Sequence, residues 1–172
     1  MSASSIFGLI TVIQAAKKVV TRPKKFYQQM PKSGGYGNPL VFVVVMGIIA
    51  GLLAMVLPIN GITSGFTALA LPIIAVIGSF IAALIMYIIW KLMGSSENYE
   101  TAYRCVAFAS VYLPASMILA IVPYLGTLVA YGWWFVLMFF ASIGVHGIEK
   151  QKAMIVIGVL GAILILMSLS GR

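Results

Sequence analysis

The sequence predicts an all-α polytopic membrane protein, with five transmembrane helices preceded by an amphipathic helix on the membrane surface. Composition is the first reason. Of 172 residues, 62% are hydrophobic and 8% charged, with a mean hydropathy of +1.11, whereas soluble domains are roughly half apolar and a quarter charged. The second reason is length, because uncharged runs near the ~20 residues needed to cross a bilayer recur along the chain. The third is that basic residues cluster on alternate connections and are nearly absent from the others.

Residues 4–20 place Ile6, Ile10 and Ile13 at i, i+4, i+7, flanked by Phe7, Leu9 and Ala16. Ser5, Thr11, Gln14, Lys17, Lys18 and Thr21 take the other faces. That pattern is an interfacial amphipathic helix. It is not a secretory signal, since Lys17, Lys18, Arg22, Lys24 and Lys25 follow the apolar stretch instead of preceding it. "TRPKKFYQQMPKSGGYGNP" carries three prolines and three glycines and reads as a linker. Residues 1–38 are therefore expected to form a cytoplasmic helix and linker, and residues 39–172 the transmembrane domain.

Span one, residues 40–59, is uncharged for 20 residues, about 30 Å of helix. After the turn "NGITSGFT" comes span two, 69–90, with Pro72 near its start, where a missing N–H costs least. Lys91 to Arg104 is a wet segment. Cys105 to Val145 holds 41 uncharged residues, about 60 Å as one helix and too long for one crossing. It must fold back at "PYLG", residues 123–126, giving span three at 105–122 and span four at 125–145. "HGIEKQK" is wet again, and span five is 153–170.

Six basic residues precede span one, two lie between spans two and three, and two lie between spans four and five; the opposite face receives only Arg172. The positive-inside rule then sets the N-terminus in the cytoplasm and the C-terminus outside, in the cell (inner) membrane. Small residues mark candidate helix contacts: Gly47 and Gly51, then Ala75, Ser79 and Ala83, then Gly158 and Ala162. Pro114 denies a hydrogen bond to the carbonyl of Ser110 and should kink span three.

The chain is poor in chemistry. Its acids are Glu97, Glu100 and Glu149, and it has one histidine, His146, and one cysteine, Cys105. Neither a nucleophile triad nor a multi-ligand metal site assembles from that set, so no enzyme activity, cofactor or metal is expected. The formal charge of +8 reads as topology and attraction to anionic lipid instead of nucleic-acid binding. Glu97, Glu100, Arg104, His146 and Glu149 fall on one cytoplasmic face. The expected arrangement there is a latch in which Arg104 pairs with Glu100 or Glu149 and His146 stands on the rim. A docking patch and a sparse metal site are the alternatives.

The stretches "PKKFYQQMPKSGGYGNPLVFVVVMGIIAGLL", "ETAYRCVAFASVYLPASMILAIVPYLGTLVAYGWW" and "GVHGIEKQKAMIVIGV" resemble the Ypt-interacting-protein (Yip) domain family in its short prokaryotic form. The resemblance is carried by Tyr103, Tyr112 and Pro114 in span three and by His146-Gly147 followed by Lys152-Ala153. It implies a compact five-helix membrane domain with a cytoplasmic N-terminus. Eukaryotic relatives bind Rab-type GTPases and vesicle-coat machinery and shape membranes through hydrophilic regions longer than the 38 residues that precede span one here. The expected function is a non-enzymatic membrane protein that organises lipids or protein partners at its cytoplasmic face. The alternative is a small-solute, ion or lipid transporter or channel acting as an oligomer.

Overall fold

The computed structural model describes the backbone at residues 4–57, 65–122 and 125–170, and side chains at 11–57, 66, 69–122 and 128–166. The described residues form eight helices: α1 (Ser4–Thr21), α2 (Pro23–Gln29), α3 (Gly37–Val56), α4 (Gly65–Leu92), α5 (Tyr99–Ala109), α6 (Tyr112–Leu119), α7 (Leu125–Gly144) and α8 (Lys150–Ser170). Among the described residues three segments are long and apolar enough to cross a bilayer: Gly37–Val56, Leu69–Leu92 and Tyr99–Leu119. A shorter apolar stretch runs over Leu128–Gly144. The expected turns "NGITSGFT" and "PYLG" fall mainly outside the described residues.

The N-terminal region departs from expectation twice. α1 forms, but it packs on α2, α3 and α5 instead of standing apart. Its inward stripe is Val12, Ala15, Ala16 and Val19, while Ile13 is exposed. The linker also contains a helix. Pro23 opens α2 at its first turn, where a missing N–H is harmless and φ is already helical. Tyr27 is then buried, donating its hydroxyl to the carbonyl of Cys105 at 3.2 Å. α2 lies against the end of α7 so closely that a Cβ on Gly144 would stand 3.2 Å from the nitrogen of Gln28.

α3 and α4 are the most extensively packed pair, and glycine is the reason. A Cβ at Gly47 would lie 2.7 Å from the Cα of Pro72 and 3.2 Å from the Cβ of Ala75. Because α4 starts at Gly65, Pro72 sits inside the helix and not near its start; the carbonyl one turn earlier loses its donor there. The kink expected from Pro114 is a full break. α5 ends at Ala109 and α6 begins at Tyr112, with Pro114 in the first turn of α6 and the Ser110 carbonyl accepting from Leu113 at 2.9 Å. At the α7–α8 contact the glycine used is Gly161, where a Cβ would stand 3.2 Å from the Phe135 ring; a Cβ on Gly158 would meet nothing within 4 Å, and Ala162 is exposed. Outward, α4 presents Ile73, Ile77, Ile81, Leu84 and Ile88, an apolar surface that only lipid or another apolar face can cover.

Gly47→Ala should therefore cost about 1–3 kcal/mol, because the atom it meets is backbone and cannot rotate away. Gly158→Ala should be neutral or slightly stabilising through helix propensity. Thermal unfolding in mild detergent compares the two; equal midpoints would mean that the α3–α4 approach is looser than described.

Candidate functional site

Three segments at one end of the helices converge on the start of α5: the "MPKSGGY" stretch at 30–36, the α4–α5 connection and the α7–α8 connection. Asn98 caps α5, its Oδ1 accepting from the amide of Thr101 at 2.9 Å. Thr101 Oγ1 donates to the carbonyl of Lys32 at 2.8 Å. Arg104, 5% exposed, donates from Nε to the carbonyl of Pro31 at 2.8 Å and from a terminal nitrogen to that of Gly35 at 2.9 Å. Glu100 accepts from the amide of Gly35 at 2.7 Å, and Lys32 pairs with Glu97 at 2.7 Å. The loop can offer both its N–H and C=O groups to α5 because Gly34 (φ 127) and Gly35 (φ 78) take backbone conformations that side chains disfavour. Tyr36 closes the clasp, its ring 5.3 Å from that of Tyr103 and 6.3 Å from that of Phe80.

This replaces the expected latch. α5 does extend back to include Glu100, but Arg104 pairs with neither Glu100 nor Glu149; both of its bonds go to backbone carbonyls of the 30–36 loop. A carbonyl pair outcompetes a carboxylate here because it is already positioned, whereas Glu100 is drawn to the Gly35 amide. Glu149 is exposed and contributes only its backbone carbonyl, to Ala153 at 2.9 Å.

His146 is buried, not on a rim. Its ring stacks on Trp90 with centroids 3.8 Å apart and 20° between planes. Nδ1 lies 2.8 Å from Ser95 Oγ, and Nε2 lies 3.8 Å from Cys105 Sγ. Ser95 Oγ also accepts from the amide of Glu97 at 3.2 Å; with its own proton turned to Nδ1, the ring is the Nε2–H tautomer, its N–H toward Cys105 Sγ. Trp90 Nε1 donates to Ser142 Oγ at 2.8 Å, and Ser142 Oγ donates to the carbonyl of Met138, also at 2.8 Å. Burial, reinforced by the charges of Lys32 and Lys91, holds the His146 pKa down at about 3. A neutral, buried imidazole joins the two connections to α4, α5 and α7; Lys152 adds a bond to the carbonyl of Met93 at 2.6 Å. Among the described residues no group of three or more His, Cys, Asp or Glu could hold a metal.

Two cavities flank these contacts. One, about 730 Å³, lies between α1, α2, the 30–36 loop, α3 and α5, with Lys18, Gln29, Asn38 and Arg104 among its polar lining. The other, about 320 Å³, lies among α3, α4, α6, α7 and α8, and Ser79, Ser110, Tyr112 and Tyr131 are its hydroxyl-bearing residues. Tyr112 thus lines the intramembrane cavity, and Pro114, half-buried, shapes the helix beside it. Tyr103 is fully buried, stacked on Phe80 at 4.4 Å, and its hydroxyl has no hydrogen-bond partner.

Sequence reasoning missed Ser95, Trp90, Ser142 and the loop carbonyls. The glycine pair at 34–35 and the Asn98-x-x-Thr101 cap were readable signals for the clasp, but the partners of His146 come from three separate segments and left no local pattern.

Long apolar helices with exposed apolar faces, and charged side chains gathered at one end among the described residues, define a helical integral membrane protein. The chain belongs to the Yip1 domain family, whose domain matches residues 17–171. No curated protein and no solved structure matches it.

Proposed function

We propose that this protein is a non-enzymatic membrane module that crosses the bilayer five times, N-terminus in the cytoplasm and C-terminus outside, and organises lipids or protein partners at its cytoplasmic face. The observation that carries this reading is the clasp: four bonds from α5 and one from Glu97 just before it hold the basic N-terminal segment down at one end of the helix bundle. A channel would be expected to place ionisable groups along a path through its spans. The lining of the intramembrane cavity has no Lys, Arg, His, Asp or Glu, and Tyr87 is not part of it. Topology is testable. A cysteine placed at Thr63 should react with a membrane-impermeant maleimide only from outside, in a background where Cys105 is buried; labelling from the cytoplasm alone would invert the arrangement.

Transport keeps one supporting observation, the 320 Å³ cavity with its serine and tyrosine hydroxyls. Reconstituted into sealed vesicles, the protein should pass ions and small solutes no faster than empty vesicles do. A saturable flux abolished by Ser110→Ala or Tyr112→Phe would replace the module reading with a transporter.

A further inference from the structure

The 730 Å³ cavity has the make-up of an amphiphile site. One end is cationic: Arg104 is buried, lines the cavity and meets none of the chain's three glutamates within ion-pair distance, and Lys18 has no ion-pair partner among the described residues. Glu100, one turn before Arg104, is the nearest acid in sequence, but it is engaged by the Gly35 amide. A buried guanidinium that is bonded only to neutral carbonyls still lacks a counter-charge. Beside it α3 begins with no side-chain cap and no acid in its first turn, so the N–H groups of Gly37 and Asn38 have no acceptor within the helix.

The other wall is apolar, formed by Val12, Phe26, Phe42 and Phe108. It opens past Val41, which is 47% exposed, onto the outward face of α3, where Ile48 lies two turns further along at 44%. The cationic end sits where α3 and α5 enter the apolar spans Gly37–Val56 and Tyr99–Leu119, which is headgroup depth. A free anion would not use the aromatic wall, and a peptide would not need an opening that runs along a lipid-facing helix.

We propose that this cavity holds one anionic phospholipid, its phosphate on Arg104, Lys18 and the start of α3, and its acyl chains leaving along Val41 and Ile48. The site rests on the reading of the protein as a membrane module and gives that module its ligand. α1 would then be a clamp over the headgroup, with Lys18 reaching in from its last turn.

The full chain, purified in mild detergent and supplied with phosphatidylglycerol or phosphatidylcholine, is examined by native mass spectrometry and thermal unfolding. We expect one phosphatidylglycerol retained per chain and preferred over phosphatidylcholine. Lys18→Glu should weaken retention by about tenfold or more, the scale of reversing one charge beside an anionic lipid. Lys25→Glu, on the neighbouring basic surface lining a different cavity, should change it little. Lys18 is exposed, so the variant folds; Arg104→Lys serves as a second probe from inside the cavity. Equal losses in Lys18→Glu and Lys25→Glu would mean diffuse attraction and would overturn the site. So would equal stabilisation by inorganic phosphate, which would reduce it to an anion pocket, or the absence of any retained anionic lipid. Solute flux with lipid retention intact would overturn the module reading and leave the site standing.

Discussion

Arg104→Ala should release the N-terminal segment from the membrane domain. The substitution removes two charge-assisted bonds, to Pro31 and Gly35, each worth about 1.5–3 kcal/mol. Because Pro31 and Gly35 are exposed, water can take over their carbonyls, so each bond counts for about 1–1.5 kcal/mol, at or below the low end, and the expected loss is about 2–3 kcal/mol in total. The sensitive measurement is trypsin cleavage after Lys32, whose carbonyl is held by Thr101 and whose ammonium is held by Glu97. Cutting there requires the loop to open, and when opening is fast the rate follows the open population. Cleavage should rise about 30- to 150-fold, the factor equivalent to 2–3 kcal/mol. Arg104→Lys should fall between, since a single ammonium can reach one carbonyl but not span two. An unchanged rate in Arg104→Ala would show that the clasp does not hold the loop.

Acid should loosen the junction built on His146. In the folded protein burial keeps its pKa at about 3, against an ordinary value of 6.5. As pH falls below 6.5 the unfolded chain binds the proton first, so unfolding gains. The stability is therefore fully present above pH 6.5 and declines as pH falls from 6.5 towards 3. At about 1.4 kcal/mol per pH unit, the drop between pH 7.5 and 5 is about 2 kcal/mol. Protonation also places a second N–H against Ser95, whose hydroxyl must turn to accept it. A paired variant isolates the histidine's part. His146→Phe keeps the stack on Trp90 and cannot titrate, so its stability should be about 2 kcal/mol flatter over the same interval. Parallel curves for the two proteins would place the acid response elsewhere.

The helices were legible in the sequence wherever the information is local. Runs of uncharged residues at bilayer length, bounded by Lys and Arg, reproduce the positions of α3, α4, α7 and α8 within a few residues, because backbone groups in lipid must bond within their own segment. Pro114 marked the break between α5 and α6 for an equally local reason, a missing donor. Gly47 was readable as a small residue, and so was Gly158. Only the first faces a close neighbour: a Cβ there would stand 2.7 Å from the Cα of Pro72 on α4, whereas a Cβ on Gly158 would meet nothing within 4 Å.

Composition and charge placement were thus sufficient to establish a helical membrane protein with its charged groups gathered at one end, while the resemblance to the Yip family rested on the stretches around Tyr103 and His146. Which polar group meets which was decided by tertiary packing. Arg104 chose two carbonyls 73 and 69 positions away, and His146 chose Ser95, 51 positions away. Hydrogen bonds are short and directional, so their partners depend on where whole helices dock to within about an ångström, and docking in turn depends on apolar shapes that no single segment carries. The amphipathic character of α1 was visible along the chain; that it faces inward through Val12 and Val19, and so roofs a cavity lined by Lys18 and Arg104, exists only once α3 and α5 supply the wall against which it folds.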